Sequence, residues 1–286
     1  MSFLELSSLN RDQSNQLLDL QQAVHKRAHS SPLIYWHILK KPRPFPCNIL
    51  AYHGKELIGF ASRFLFHEGT CELSILIRPN FQTEFFAKQL LYALMKYIPN
   101  DYKEFVVMHT AHQQRPMIKP EGSWVYLYSS HRLQWTGPAK KPLLRPGFEF
   151  NKASPADFPG FKTISEIGFP QGTSMTEEIF NSIIESAGTQ LWLLYHEQKV
   201  IGSIQVNQEN KCYRISDITV LPEYRRQGLG NFMLISIVHQ LQLRQKQIVL
   251  DVESNNETAL AWYIGLGMKK INTSDFWRIP FSELIG

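Results

Sequence analysis

The residues with the clearest capacity for chemistry are Arg225-Arg226-Gln227-Gly228-Leu229-Gly230. They follow an apolar run that ends at Leu221 and Pro222, and they open into an apolar segment running from Asn231 to about Gln245. A strand, a basic glycine loop and a helix in that order can build an anion site. Glycines let the backbone turn and approach a ligand closely. Successive loop N–H groups then converge, and the helix N-terminus adds partial positive charge. Two arginines at the mouth point to a phosphorylated ligand.

Two readings of this loop compete. A dinucleotide-binding unit also places glycines between strand and helix, with an acidic residue about 20 positions on. Asp251 stands 21 residues after Gly230, at a strand. Against that reading, Met233 occupies the place of the third glycine, and a hairpin precedes the supposed first strand. An NAD-dependent oxidoreductase is therefore the lesser alternative.

The other reading is acyl-coenzyme A binding. The loop fits the Q/R-x-x-G-x-G/A signature of the GNAT acetyltransferases, and Asn256, Ala259, Tyr263 and the pair Gly267-Met268 stand at the spacings of that superfamily's second block. The region from about Gln190 to Phe281 resembles this family, with Ile218-Thr219-Val220 as the strand leading into the loop. The resemblance implies a mixed α/β fold with a mostly antiparallel sheet flanked by helices. It also implies acetyl-CoA as acyl donor and direct attack of a primary amine on the thioester.

The resemblance distributes the roles. Backbone groups of Ile218 and Val220 and the stretch Arg225, Arg226, Gln227, Gly228, Leu229, Gly230 and Asn231 would bind the donor, together with Asn256 and Ala259. A strand-end N–H would act as an oxyanion hole. Tyr263 would return a proton to the leaving thiolate, since a phenol with pKa near ~10 is comparable in acidity to an alkyl thiol. Asp251 and Asp217 are the candidate bases, with Asp251 preferred because related ribosomal-protein acetyltransferases carry a Glu near that place. A non-catalytic acyl-CoA sensor stays open as the alternative. The acceptor, a small molecule or a peptide amine, is not named by any pattern.

These residues need elements to hold them. Leu191–Tyr195 and Val200–Val206 read as a hairpin, Tyr213–Val220 and Ile248–Val252 as strands, and Trp277–Phe281 as a last strand. Asn231–Gln245 and Asn256–Ile264 read as helices, as does Thr176–Ser186 with Ile179, Ile183 and Ile184 inward. The acceptor groove is expected from the loops around Phe169–Thr176.

The same layout occurs earlier in the chain. Tyr52-His53-Gly54-Lys55-Glu56-Leu57-Ile58-Gly59 aligns with Tyr195-His196-Glu197-Gln198-Lys199-Val200-Ile201-Gly202, 143 residues on, and Pro79 aligns with Pro222 at the same offset. The chain therefore reads as a duplication. Arg225, Gly228 and Gly230 become Gln82, Phe85 and Ala87, so the first copy is read as a degenerate one. The proline-rich, basic stretch Gly137-Pro138-Ala139-Lys140-Lys141-Pro142 suggests a linker. The expected division is a degenerate domain at 1–137, a linker at 138–145 and an acetyltransferase domain at 146–286. The closest analogy is to tandem GNAT proteins.

Composition narrows the classes further. The net charge of +5 over 286 residues is mild, and no Lys/Arg run exceeds two residues, so a nucleic-acid stripe is not indicated. The three scattered cysteines argue against a disulfide framework and fit a reducing compartment. Neither a secretory leader nor a membrane helix is read, so a cytoplasmic location is expected. His109 and His112 lack a third ligand, and no metal is expected. Trp124, Tyr126 and Tyr128 alternate like one face of a strand and suit packing.

Overall fold

The structure is a computed structural model. It describes residues 1–67, 70–98, 102, 104–110, 124–138, 141–143, 146–170, 174–209, 212–242, 244 and 246–280. The first copy runs β1 (Ser2–Leu6), α1 (Arg11–Ala28), α2 (Trp36–Leu39), β2 (Asn48–His53), β3 (Glu56–His67), β4 (Thr70–Ile77), α3 (Glu84–Met95), β5 (Glu104–Thr110) and β6 (Val125–Trp135). The second runs β7 (Phe148–Lys152), α4 (Phe158–Gly168), α5 (Glu177–Glu185), β8 (Thr189–His196), β9 (Lys199–Gln208), β10 (Cys212–Val220), α6 (Leu229–Gln242), β11 (Gln247–Glu253), α7 (Glu257–Gly265) and β12 (Met268–Pro280).

Two compact units result: Met1–Arg132 with Val252–Leu260 and Lys270–Gly286, and Leu133–Asp251 with Ala261–Lys269. They cut the chain differently from the expected 1–137 and 146–286. In the first unit the sheet order is β1-β2-β3-β4-β5-β12-β6, so a strand from the end of the chain lies beside β5. Ser274–Pro280 pair antiparallel with Thr110–Glu104. The strand expected over Trp277–Phe281 begins at Met268, and Phe281 lies outside the described residues.

The first unit buries both faces of its sheet. On one side α3 packs Phe86, Ala87, Leu90 and Leu94 against Ile75, Ile77, Phe105 and Val107. On the other, α1 packs Leu17, Leu20 and Val24 against Phe60, Leu76 and Met108. The spacing 17, 20, 24 is one helical stripe. Asn10 starts α1 through a capping box: its side chain accepts the Gln13 N–H, and Gln13 returns the bond to the Asn10 N–H, both at 2.9 Å. Tyr126 and Tyr128 set their rings on Trp277 and Phe276, which supports the packing role read for them.

The second unit orders its strands β11-β10-β9-β8-β7, with only β10/β11 parallel. Mixed, mostly antiparallel sheets in both units exclude the doubly wound parallel alternative. Gly202 of β9 abuts Met233 of α6, whereas its neighbour Ser203 faces a cavity walled by α4. Successive strand residues point to opposite faces, so α6 covers one side and α4 the other. Phe180 is the buried anchor of α5, while Ile179, expected inward, is exposed.

Backbone geometry repeats with the sequence. The β2/β3 pairing slips between Ala51 and Tyr52, and the β8/β9 pairing slips between Leu194 and Tyr195. Gly59 pairs with Ile77 as Gly202 pairs with Val220. His53 packs on Phe81 with ring centroids 5.7 Å apart, and His196 packs on Tyr224 at 5.6 Å. Every one of these correspondences keeps the offset of the sequence repeat.

Candidate active site

The glycine loop is built from the end of β10. Leu221 N–H donates to Ile201 O, one turn of 3-10 helix spans Pro222–Tyr224, and Arg225 N–H closes on Pro222 O. Arg226 (φ 62°) and Gly228 (φ 76°) then both adopt left-handed backbone, flanking Gln227. Such alternation turns successive N–H groups toward one point. The first intrahelical bond of α6 runs from Phe232 N–H to Gly228 O. The N–H groups of Leu229, Gly230 and Asn231 precede it and have no acceptor inside the helix. The loop and the helix end together present backbone N–H groups of the kind that suit an anion.

Two loop residues also make contacts within the chain. Gly230 is helical, and a Cβ there would meet the Trp262 ring at 3.4 Å, an ordinary van der Waals contact. Arg225 turns its side chain back, and Nε donates to Val220 O at 2.8 Å. In the first copy Gln82 Nε2 donates to Ile77 O at 3.1 Å, the equivalent bond 143 residues earlier. The shared function of Arg225 and Gln82 is to hold the strand-end carbonyl. Arg225→Gln is therefore expected to shift coenzyme A affinity by no more than about threefold, the scale of one exposed hydrogen bond. Isothermal titration checks this, and a tenfold loss would make the guanidinium itself a phosphate ligand.

The first copy has also spent its helix end on itself. Thr83, where the second copy has Arg226, has extended backbone and accepts the Phe86 N–H at 3.2 Å. Phe85, in place of Gly228, projects outward at 73% exposure. Without left-handed residues and with a capped first turn, this copy offers no cradle.

Beyond the loop, β10 carries an irregularity that β4 lacks. Its pairing to β9 shifts between Ser216 and Thr219, and Asp217 inside the bulge has φ 53°. The β3/β4 ladder runs in register from Gly59/Ile77 to Phe64/Glu72. Parallel pairing of β10 to β11 covers Cys212/Gln247 to Ile215/Leu250, although β10 continues through Ile218 and Val220. The two strands thus part at the bulge.

Asp217 and Asp251 sit on either side of this parting. Ser216 Oγ donates to Asp217 Oδ2 at 3.0 Å and in turn accepts from Asn207 Nδ2 at 3.3 Å. Burial raises the Asp217 pKa above the usual carboxylate range, against the lowering effects of Ser216 and Arg214. Asp217 also lines the α4-side cavity, and Asp251 does not. By register Asp251 shares its sheet face with Val249, which pairs with Arg214.

On α7, Asn256 Oδ1 accepts the Ala259 N–H at 3.2 Å. This pair is a helix cap, and both residues group with the first unit. Trp262 and Tyr263 group with the second. The Trp262 indole N–H donates to Asn231 Oδ1, and its ring lies 4.6 Å from the Tyr263 ring. Tyr263 is 8% exposed, and burial pushes its phenol up to about 12.

A cavity of about 350 Å³ opens beside Asp217, between α4, α5 and the strands β9 and β10. The expected segment supplies Phe169, Pro170, Ser174 and Met175 to it. Phe161, Ser165 and Glu166 come from α4, a helix that the apolar pattern does not announce, and the pattern gives Trp262 no role either. The Phe158-Pro159-Gly160 start looks like a turn, but proline near a helix start is itself a helix signal. Among the described residues no group of three His, Cys, Asp or Glu side chains is arranged to hold a metal; His112 and the side chain of His109 lie outside them.

Comparison with known proteins follows this geometry. Residues 157–268 match the acetyltransferase (GNAT) family. A GCN5-related N-acetyltransferase from Sphaerobacter thermophilus is 13% identical, with TM-score 0.73 over 97% of this chain and 95% of that one. A tandem GNAT protein from the clavulanic acid biosynthesis pathway is 12% identical, with TM-score 0.69 over 98% of both chains. A GNAT-family acetyltransferase from Colwellia psychrerythraea is 17% identical, with TM-score 0.61 over 98% of this chain and all of that one. No match is found among curated protein sequences. At these identities the structures establish the fold alone. Among the described residues no helix is long and apolar enough to cross a membrane.

Proposed function

We propose that the second unit is an acetyl-CoA-dependent N-acetyltransferase acting on a primary amine. The observation that carries this is the paired left-handed residues Arg226 and Gly228 opening onto the uncommitted first turn of α6. N–H groups from Gln227 to Asn231 suit a pyrophosphate, and the parting of β10 from β11 leaves backbone groups near Ile218 and Val220 for the donor's arm and thioester oxygen. Coenzyme A would supply an activated acyl group at that parting. Asn256 and Ala259 are assigned to capping α7, since each already satisfies the other.

Asp217 is the base in this reading, in preference to Asp251, because it alone of the two faces the cavity. It takes the ammonium proton, so that the amine nitrogen can form its bond to the acyl carbon. The C–S bond breaks, the electron pair leaves with sulfur, and sulfur receives a proton. Tyr263 relays that proton: its hydroxyl gives one to sulfur as it takes the second proton of the newly bonded nitrogen. With its phenol at about 12, well above a thiol's ~8.5, it is protonated before and after the exchange.

Thiol release from acetyl-CoA, measured with the full chain and an amine panel, tests the activity. Tyr263→Phe is expected to lower kcat about tenfold or more while acetyl-CoA still binds. Turnover unchanged across the pH range would remove the tyrosine's role. Tight binding with no acceptor-dependent thiol release would make the unit a sensor instead.

A further inference from the structure

The cavity beside Asp217 combines features that together specify an acceptor. Its apolar wall includes Phe161, Phe169, Met175 and Ile183. Its polar groups include Asp217, Gln205 and Glu166, and no Lys, Arg or His is among its described lining residues. Asp217 belongs to the sheet at the bulge, next to the strand parting. Glu166 belongs to α4 and is exposed. Lys162, one turn earlier on α4, approaches Glu166 only to 3.8 Å, and both are open to solvent. Such a pair contributes little and yields to a better-placed cation.

We propose that the acceptor is a small aliphatic amine with a second positive charge, an alkyl diamine or polyamine without carboxylate or phosphate. This rests on the acetyl-transfer reading. One nitrogen lies at Asp217, loses its proton there and is acetylated. The second remains an ammonium at Glu166, and the methylene chain between them runs along the phenylalanines and Met175. Alkyl stems pack on apolar surface while their charged ends stay with polar partners, and ammonium groups are drawn to aromatic faces. An acceptor bearing a carboxylate or phosphate meets two carboxylates, one of them already paired with Lys162, which costs binding. The volume admits a chain of several methylenes.

The test uses the full chain and acetyl-CoA with 1,4-diaminobutane, spermidine, n-butylamine, lysine and glucosamine 6-phosphate, read as thiol release. The expected kcat/KM for 1,4-diaminobutane exceeds that for n-butylamine about tenfold, the scale of one charged hydrogen bond at a partly exposed site. Lysine and the sugar phosphate fall below both. Glu166→Gln, a surface change, raises KM for the diamine about tenfold and leaves that for n-butylamine within about twofold. Preference for lysine or the sugar phosphate, or equal use of diamine and monoamine, overturns the proposed class while leaving acetyl transfer standing. An unchanged diamine KM in Glu166→Gln removes the second subsite. Acetyl-CoA binding without thiol release for any amine defeats the transferase reading itself.

Discussion

Asp217→Asn is expected to lower kcat by about a hundredfold or more without lowering the melting temperature. A positioned general base contributes about 10² to 10⁴ in rate. Asparagine keeps the shape, tolerates left-handed backbone, and can still accept the Ser216 hydroxyl, but it takes no proton. The stability sign follows from the raised pKa. The folded state binds this proton more tightly than the unfolded chain, so the favourable contribution is complete at low pH and is lost as pH rises through the folded value. Above that value ionised Asp217 costs stability, and the amide removes the cost. The wild-type rate should rise with pH over a limb above the ordinary carboxylate range, then level off. Stopped assays over pH 5 to 9, at roughly half-unit steps, together with thermal melts of both proteins, decide the matter. A variant with unimpaired kcat returns the role to Asp251.

Gly228→Val is expected to weaken coenzyme A binding at least about tenfold. Left-handed backbone costs an ordinary residue about 1–2 kcal/mol, and a β-branched residue is an outlier there. The chain relieves that strain by leaving φ 76°, which turns the Gln227 and Gly228 N–H groups away from their common focus. Isothermal titration with coenzyme A reads the loss. An unchanged Kd would show that the loop's backbone does not hold the ligand. The reverse change in the first copy, Phe85→Gly, should create no site, since Thr83 still occupies the Phe86 N–H.

Where the chemistry is local, residue order was enough to read it. The strand–loop–helix succession around Arg225–Gly230 emerged at α6 within two residues of its expected start, because glycine conformation and apolar spacing are properties of neighbouring residues. The second block resolved in the same way into α7 with Tyr263 buried. Helix α4 was legible in principle from Pro159 but was obscured by the adjacent Gly160, and with it went Phe161, Ser165 and Glu166 of the cavity wall.

By itself, the sequence determined the repeat, the glycine loop between strand and helix, its glycine-free counterpart and the short helix carrying Tyr263, since each is an arrangement of near neighbours or a fixed offset. Tertiary structure decided the rest. It placed β12 beside β5, so that the compact units depart from the repeat boundary. It showed Arg225 and Gln82 sharing a carbonyl-holding bond, in spite of their difference in charge. It put one extra residue into β10 at Asp217 and gave that carboxylate, rather than Asp251, a cavity to face. A bulge exists only relative to the strand it pairs with, and a cavity only relative to the helix that walls it. Such relations join residues distant in sequence, and packing the whole sheet settles them.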